Sequence, residues 1–286
     1  MVFPHSGYIS PKAVVAALSA LSGLKTLCLR FRSPQSRPDL ESLGLSTPKR
    51  SVLPSLNVFH FKGATEYLEE LVTCIDTPQL DQLHITFFNQ IDFHCPRLAR
   101  FICYTQALTA LDEGRVHFDN RTASIRLRSP TSKISSGDLQ IDISCREPDW
   151  QLSSIEQVCS SSLPPLPTIE DLYIEHQYSQ LIWRDDAIFN TLWLQLLLPF
   201  SAVKNLYLSK EFAPGVAAAL QELVGSRTTE VLPSLQNIFV EGLEPSGPFQ
   251  EYIGRFVAAR QLRLSNHPIA IATWDKDSEN PDLESR

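Results

Sequence analysis

At 286 residues, with 43% hydrophobic and 20% charged side chains, the chain has room for one or two globular domains or one solenoid, and its composition is that of an ordinary folded protein. A formal charge of -7 argues against nucleic acid as a partner, because binding phosphates needs a basic face. The six cysteines (Cys28, Cys74, Cys95, Cys103, Cys145, Cys159) show no CxxC spacing, which points to free thiols in an intracellular compartment, cytoplasmic or nuclear. The most apolar stretch, Leu192 to Phe200, carries Gln195 and Pro199 and falls short of the about 20 apolar residues of a membrane span, so no membrane partner is expected.

In chain order, Ser10 is placed to cap a short helix with Pro11 at its first position and Gly23 after it. Its apolar run, Ala13 to Leu21, has no basic segment before it and so does not read as a secretory signal. A phrase then recurs every 24 to 34 residues: apolar, two variable residues, apolar, one variable residue, apolar. It appears as Leu24-Leu27-Leu29, Leu56-Phe59-Phe61 and Leu80-Leu83-Ile85, with a loop near 33–51 after the first copy. Thr65 is placed to cap a predicted helix whose Leu68, Leu71, Val72 and Ile75 share one face, and His94-Cys95-Pro96 opens another running to Tyr104. Leu108-Leu111 is a degenerate copy of the phrase. A polar, locally basic stretch near 119–137 follows, in which Ile125 to Arg128 has strand character.

Leu139-Ile141-Ile143 is a bare alternation, and residues 147–167 form a Ser- and Pro-rich connector. The phrase then resumes as Ile169-Leu172-Ile174, Val203-Leu206-Leu208, Leu235-Ile238-Val240 and Ala259-Leu262-Leu264. Helices are expected between these copies, over Trp193–Phe200, from Pro214 (Val216, Leu220, Leu223) and from Pro248 (Tyr252, Ile253, Phe256). Residues 275–286 are acidic, lack periodicity and read as a disordered tail.

A fixed phrase at this period is the sequence mark of a leucine-rich-repeat solenoid, in which each repeat buries its apolar face on its neighbours. Strands joined by helices must run parallel. A helix is wider than a strand, so the array bends. The predicted fold is α/β: a leucine-rich-repeat-like curved solenoid of about nine irregular repeats over residues 1–274, with parallel strands on the concave side and helices on the convex side. Prolines at the strand entrances (Pro54, Pro78, Pro167, Pro233) read as punctuation, placed where no ladder hydrogen bond is lost.

Catalytic signatures are missing from the sequence. It holds no phosphate-cradling glycine loop, no dinucleotide fingerprint, no His-Glu-x-x-His and no nucleophile elbow. No enzyme activity and no cofactor are therefore expected. Stacking the outward residues of successive strands places Cys28, His60 and His84 in one ladder, three donors of a zinc set that lacks a fourth, so no metal is expected either. The ladder continues as Asp142, Tyr173, Tyr207, Phe239 and Arg263. Its flanks hold Arg30, Lys62, Asp171, Glu175, Asn237 and Glu241, basic toward the N-terminus and acidic toward the C-terminus. Exposed Tyr and Arg are typical interface anchors, and this face is the candidate protein-binding surface. The aromatic residues can equally serve to cover one another as a stabilising stripe, and the residues leave both readings open.

Several segments resemble the leucine-rich-repeat region of the expanded F-box-like protein family of basidiomycete fungi. They are Leu24-Lys25-Thr26-Leu27 with the Ser/Pro/Arg loop after it, Ser51-Val52-Leu53-Pro54-Ser55-Leu56, Ile75-Asp76-Thr77-Pro78-Gln79-Leu80, Val203-Lys204-Asn205-Leu206-Tyr207-Leu208 and Val231-Leu232-Pro233. The resemblance implies the substrate-binding arm of a ubiquitin-ligase receptor, holding a protein on the concave sheet. The family's F-box, which docks on a Skp-family adaptor, has no counterpart before Ser10, so an adaptor partner is expected only if such a motif lies upstream. The alternative is a degenerate free-standing scaffold or decoy with no ligase connection.

Overall fold

The computed structural model describes residues 9–32, 50–88, 90, 92–129, 137–163, 166–176, 187–223, 227, 229–243, 246–262 and 268–275. In chain order these form α1 (Pro11–Leu18), β1 (Thr26–Arg30), β2 (Ser51–Val52), β3 (Val58–Gly63), α2 (Thr65–Cys74), β4 (Ile75–Asp76), β5 (Gln82–Phe87) and α3 (Pro96–Tyr104). Next come β6 (Glu113–Phe118), β7 (Thr122–Arg128), β8 (Asp138–Ser144), α4 (Pro148–Gln157) and β9 (Asp171–His176). The chain continues with α5 (Ala187–Leu197), β10 (Asn205–Leu208), α6 (Ala213–Gln221), β11 (Asn237–Glu241), α7 (Pro248–Gln261) and β12 (Ala270–Trp274). The fold is mixed α/β with mostly parallel sheets. It divides into two compact units, Met1–Asp112 with Arg121–Pro164, and Glu113–Asn120 with Pro165–Arg286.

In the first unit the strand order is β1-β3-β5-β8-β7. β1, β3, β5 and β8 pair in parallel, with Leu27, Phe59, Leu83 and Leu139 in one register row and Leu29, Phe61, Ile85 and Ile141 in the next. All eight are buried. The first residue of the phrase sits in a turn before its strand: the Leu56 N–H donates to the Leu53 carbonyl and the Leu80 N–H to the Thr77 carbonyl. Pro54 and Pro78 lie inside these turns, where their missing N–H groups cost no ladder bond. β2 and β4 form a separate two-stranded parallel pair.

The helices of this unit form on apolar stripes; α1 has a local side-chain cap, whereas α2 has none, with Ala64 rather than Thr65 at its cap position. In α1 the Ser10 hydroxyl accepts from the Ala13 N–H at 3.2 Å, Pro11 stands at the first position, and Val14, Val15 and Leu18 are buried. α2 buries Leu68, Leu71 and Val72. It also caps its neighbour, because the Glu69 carboxylate accepts the Arg97 and Leu98 N–H groups at 3.1 and 2.7 Å. These are first-turn donors of α3 with no partner inside that helix.

Two expectations are corrected here. The polar stretch near 119–137 contains β7, which pairs antiparallel with β8, so this sheet is not wholly parallel. Its connection to β8, residues 129–137, is shorter than the dozen or more residues a parallel crossover needs. The connector at 147–167 contains α4 and a π-helical turn, Val158–Ser162. Leu152, Ile155, Val158 and Cys159 supply a buried stripe, obscured in the sequence by the intervening serines.

The second unit has the strand order β6-β9-β10-β11-β12, parallel throughout. β6 lies far upstream in sequence and follows the degenerate copy at Leu108-Leu111 rather than coinciding with it. At its first position facing the helices it carries Gly114, aligned with Leu172, so the apolar phrase is broken there. Phe118 meets Phe212 and Trp193 at ring-centroid distances of 5.2 and 6.0 Å on the helix side of the sheet. α5 packs on α6 and α6 on α7.

The last copy of the phrase is overturned. Ala259 lies inside α7, Leu262 just after it is 87% exposed, and the final strand is residues 270–274. Ile253, Phe256 and Arg260 are buried at helical spacing, and that period carries α7 through Gln261 at the expense of the strand pattern. Residues 33–49, 130–136 and 276–286, including most of the expected loops and tail, lie outside the described residues.

Candidate functional site

Strand alternation sends every second side chain away from the helices, and in each unit these residues form a sheet face free of helices among the described residues. In the second unit the register arranges that face in rows. One row is Glu113, Asp171, Asn205, Asn237 and Ala270. It is tied by amide hydrogen bonds: Asn205 Nδ2 donates to Asp171 Oδ1 at 2.6 Å, and Asn237 Nδ2 to Asn205 Oδ1 at 2.7 Å. Each bond spans two neighbouring strands, so the relay pins their register.

The middle row is Arg115, Tyr173, Tyr207, Phe239 and Ala272. Its three rings stack nearly parallel, Tyr173 on Tyr207 at 4.1 Å and 7°, Tyr207 on Phe239 at 4.6 Å and 11°. The Arg115 guanidinium lies over the far face of this stack, 4.0 Å from the Tyr173 ring centre. Trp274 crosses the rings steeply, 5.5 Å from Tyr207 and 5.7 Å from Tyr173. Ala272 adds only a methyl group between Phe239 and the strand that carries Trp274. Tyr173 and Trp274 are each only 6% exposed. Of the two readings left open for Tyr173, the covered one describes its ring: its neighbours enclose it, and the ring faces in the stack are occupied.

The third row joins His117 to Glu175 and, at the other edge, Glu241 to Trp274. Arg115 bridges two buried carboxylates, with Nε 2.5 Å from Glu113 Oε1 and Nη1 3.0 Å from Glu175 Oε1. His117 Nδ1 lies 3.2 Å from Glu175 Oε2. Burial by itself would pull the Arg115 pKa down. The hydrogen bond and charge of Glu113, with the charge of Glu175, outweigh it and hold that pKa above its ordinary value. Beyond Glu241 a hollow of about 230 Å³, lined by Lys210, Glu241, Gly242 and Phe249, lies at the carboxyl ends of β10 and β11.

In the first unit the corresponding face is polar and ionic. Cys28, His60, His84 and Gln140 share one row, and Arg30, Lys62, Thr86 and Asp142 the next. The expected ladder of Cys28, His60 and His84 is thus present in register, with the two imidazole rings 5.4 Å apart. Asp142 is corrected by one row: it aligns with Thr86 and reaches His84 diagonally, Oδ2 to Nε2 at 2.6 Å. Gln140 Nε2 donates to the other oxygen of Asp142 at 2.9 Å. Arg126 holds Asp138 with two hydrogen bonds of 2.9 and 2.7 Å. Burial, then the charges of His84 and Arg30, lower the His60 pKa below 6.5. Among the described residues, no group of three or more His, Cys, Asp or Glu side chains is placed to hold a metal ion.

The structure thus gathers Arg30, His60, Lys62, His84 and Asp142 on one face, and Asp171, Tyr173, Glu175, Tyr207, Phe239 and Glu241 on the other. Arg263 lies outside the described residues. Sequence reasoning missed Glu113, Arg115, His117 and Trp274. The Glu-Gly-Arg-Val-His-Phe alternation of residues 113–118 carried a strand signal, but Gly114 in place of an apolar residue hid it. Trp274 carries no local sign that it reaches rings two and three strands away across the sheet. Among the described residues, no helix is long and apolar enough to cross a membrane. Comparison of the chain with protein-family models, with curated proteins and with solved structures gives no match.

Proposed function

We propose that the chain is a leucine-rich-repeat-like scaffold that recognises protein partners on its helix-free sheet faces, without chemistry of its own, in the manner of the substrate-binding arm of an F-box ubiquitin-ligase receptor. The observation that carries this reading is the register, which lines up charged and aromatic side chains in rows on faces that no described helix of the same unit covers. Described cations outnumber carboxylates on the first unit's face (Arg30, Lys62, Arg126, Arg128 against Asp138, Asp142). Carboxylates dominate on the second (Glu113, Asp171, Glu175, Glu241 against Arg115). Such patterning favours partner selection and orientation. The six cysteines are free thiols, in keeping with a cytoplasmic or nuclear setting.

The self-covered stack of Tyr173, Tyr207 and Phe239 favours a second reading, a free-standing repeat scaffold in which these rings serve stability only. Site-specific photocross-linking in the source cells separates the two. A photoreactive residue at Lys62 or Glu241 should yield a discrete protein adduct. One at Tyr104 or Ile188, exposed on helices at 78% and 71%, should not. Adducts of equal yield from both sets, or none from the sheet faces, would remove the recognition reading. Co-purification of a Skp-family adaptor with the product of the full native transcript tests the ligase link separately. A product that retains no adaptor leaves the scaffold without one.

A further inference from the structure

We infer that the helix-free face of the first unit takes a run of acidic side chains from a protein partner. The inference rests on the recognition reading above and adds the partner's chemistry. It starts from a conflict in the register: Arg30 and Lys62 stand directly opposite one another on adjacent parallel strands, which lie about 4.8 Å apart. Like charges in that relation destabilise a sheet. Neither side chain makes an ion pair with a described residue, and Lys62 has only the Phe88 ring, 5.9 Å from its ammonium.

The face holds carboxylates, but they are committed elsewhere. Asp142 is taken by His84 and Gln140, and Asp138 by Nε and Nη2 of Arg126. Among the described residues, the spare charge at the β1–β3 edge is therefore positive. The same charge bears on neighbouring His60, whose pKa is lowered first by burial and then by the charges of His84 and Arg30. A guest carboxylate between Arg30 and Lys62 removes their repulsion and gains two charge-assisted hydrogen bonds, with His60 and Thr86 beside it as further polar contacts.

Acidic protein fits this face better than nucleic acid does. Affinity for a phosphate backbone grows with the number of phosphates neutralised. Among the described residues two cations of this face are spare, on a chain of net charge -7.

The test uses the full chain and fluorescence anisotropy of a labelled oligoglutamate peptide, with an oligolysine peptide and single-stranded DNA as comparators. The glutamate peptide should bind at low salt, and Arg30→Glu with Lys62→Glu should weaken it by at least about tenfold. Lys204→Glu with Lys210→Glu, an equal change in net charge on the second unit, should leave affinity within about twofold. If the double reversal disturbs folding by circular dichroism, Arg30→Gln with Lys62→Gln replaces it and must also weaken binding. The proposal is overturned by absence of peptide binding, by binding indifferent to these substitutions, or by DNA binding more tightly than the glutamate peptide. Failure here with cross-links still formed at Glu241 would remove the acidic-partner assignment and leave the recognition reading standing.

Discussion

Truncating Tyr207 to alanine tests how the second unit's face is built. Its ring lies between two near-parallel neighbours, Tyr173 at 4.1 Å and Phe239 at 4.6 Å, with Trp274 across them. An aromatic pair contributes about 0.5–1.5 kcal/mol beyond its buried area, so two lost pairs amount to about 1–3 kcal/mol. Tyr207 is only partly exposed, and burying roughly 100 Å² of ring area that alanine lacks adds about 2 kcal/mol at about 25 cal/mol per Å². The unfolded chain already buries some of that area, so the expected cost is about 2–4 kcal/mol. Urea unfolding gives the total. Hydrogen exchange locates it, with β9, β10 and β11 losing protection and β3 and β5 in the first unit keeping theirs. A double-mutant cycle with Phe239→Ala should show a coupling of about 0.5–1.5 kcal/mol. A cost below about 0.5 kcal/mol would mean that the rings behave as solvated surface residues, and the self-covering stack would have to be abandoned. It follows that Tyr173→Ala and Tyr207→Ala are poor probes of partner binding, because they strike at the fold first.

Gly137→Ala should destabilise the first unit by about 1–3 kcal/mol in urea, because a Cβ there would lie 1.8 Å from the Ala107 carbonyl oxygen and the backbone must shift to admit it. An unchanged midpoint would show that the approach is not tight. In the folded protein Cys103, which is exposed, should react with a thiol reagent at pH 8 well before Cys95 and Cys159, and these two should react only on unfolding. Burial pushes the Cys95 thiol up to about 12 and that of Cys159 higher still, leaving little thiolate on either. Equal native rates for the three would contradict that burial. His60 binds its proton less readily in the folded state than in the unfolded chain. Its contribution to stability is therefore full above pH 6.5 and is lost as pH falls through 6.5 toward its lowered folded value. Relative to His60→Gln, the wild-type chain should lose more stability over that interval, and parallel pH profiles would refute the assignment.

The sequence determined the strands at residues 26–30, 58–63, 82–87, 138–144, 171–176, 205–208 and 237–241, and with them which residues face outward. A period of two fixes side-chain direction locally. It also determined most helices, because caps and 3.6-residue stripes are local signals: Ser10 with Pro11, Pro96, and Pro248 with Ile253 and Phe256. Where those signals conflict, packing decides. α7 continues through Ala259 because Phe256 and Arg260 are buried on one helical face, and the final strand moves to Ala270–Trp274.

Only the tertiary structure decided that β6 joins the second unit beside β9 and that β7 turns antiparallel onto β8, since strand pairing is a long-range choice that no local pattern records. That choice brings Glu113, Arg115 and His117 next to Tyr173 and Glu175. It also makes the difference between an aromatic residue that projects and one that is covered. Tyr173 and Phe239 are read alike in sequence. In the folded chain Tyr173 is enclosed by Arg115, Tyr207 and Trp274, the last arriving from β12, a strand distant from β9 in the sheet order.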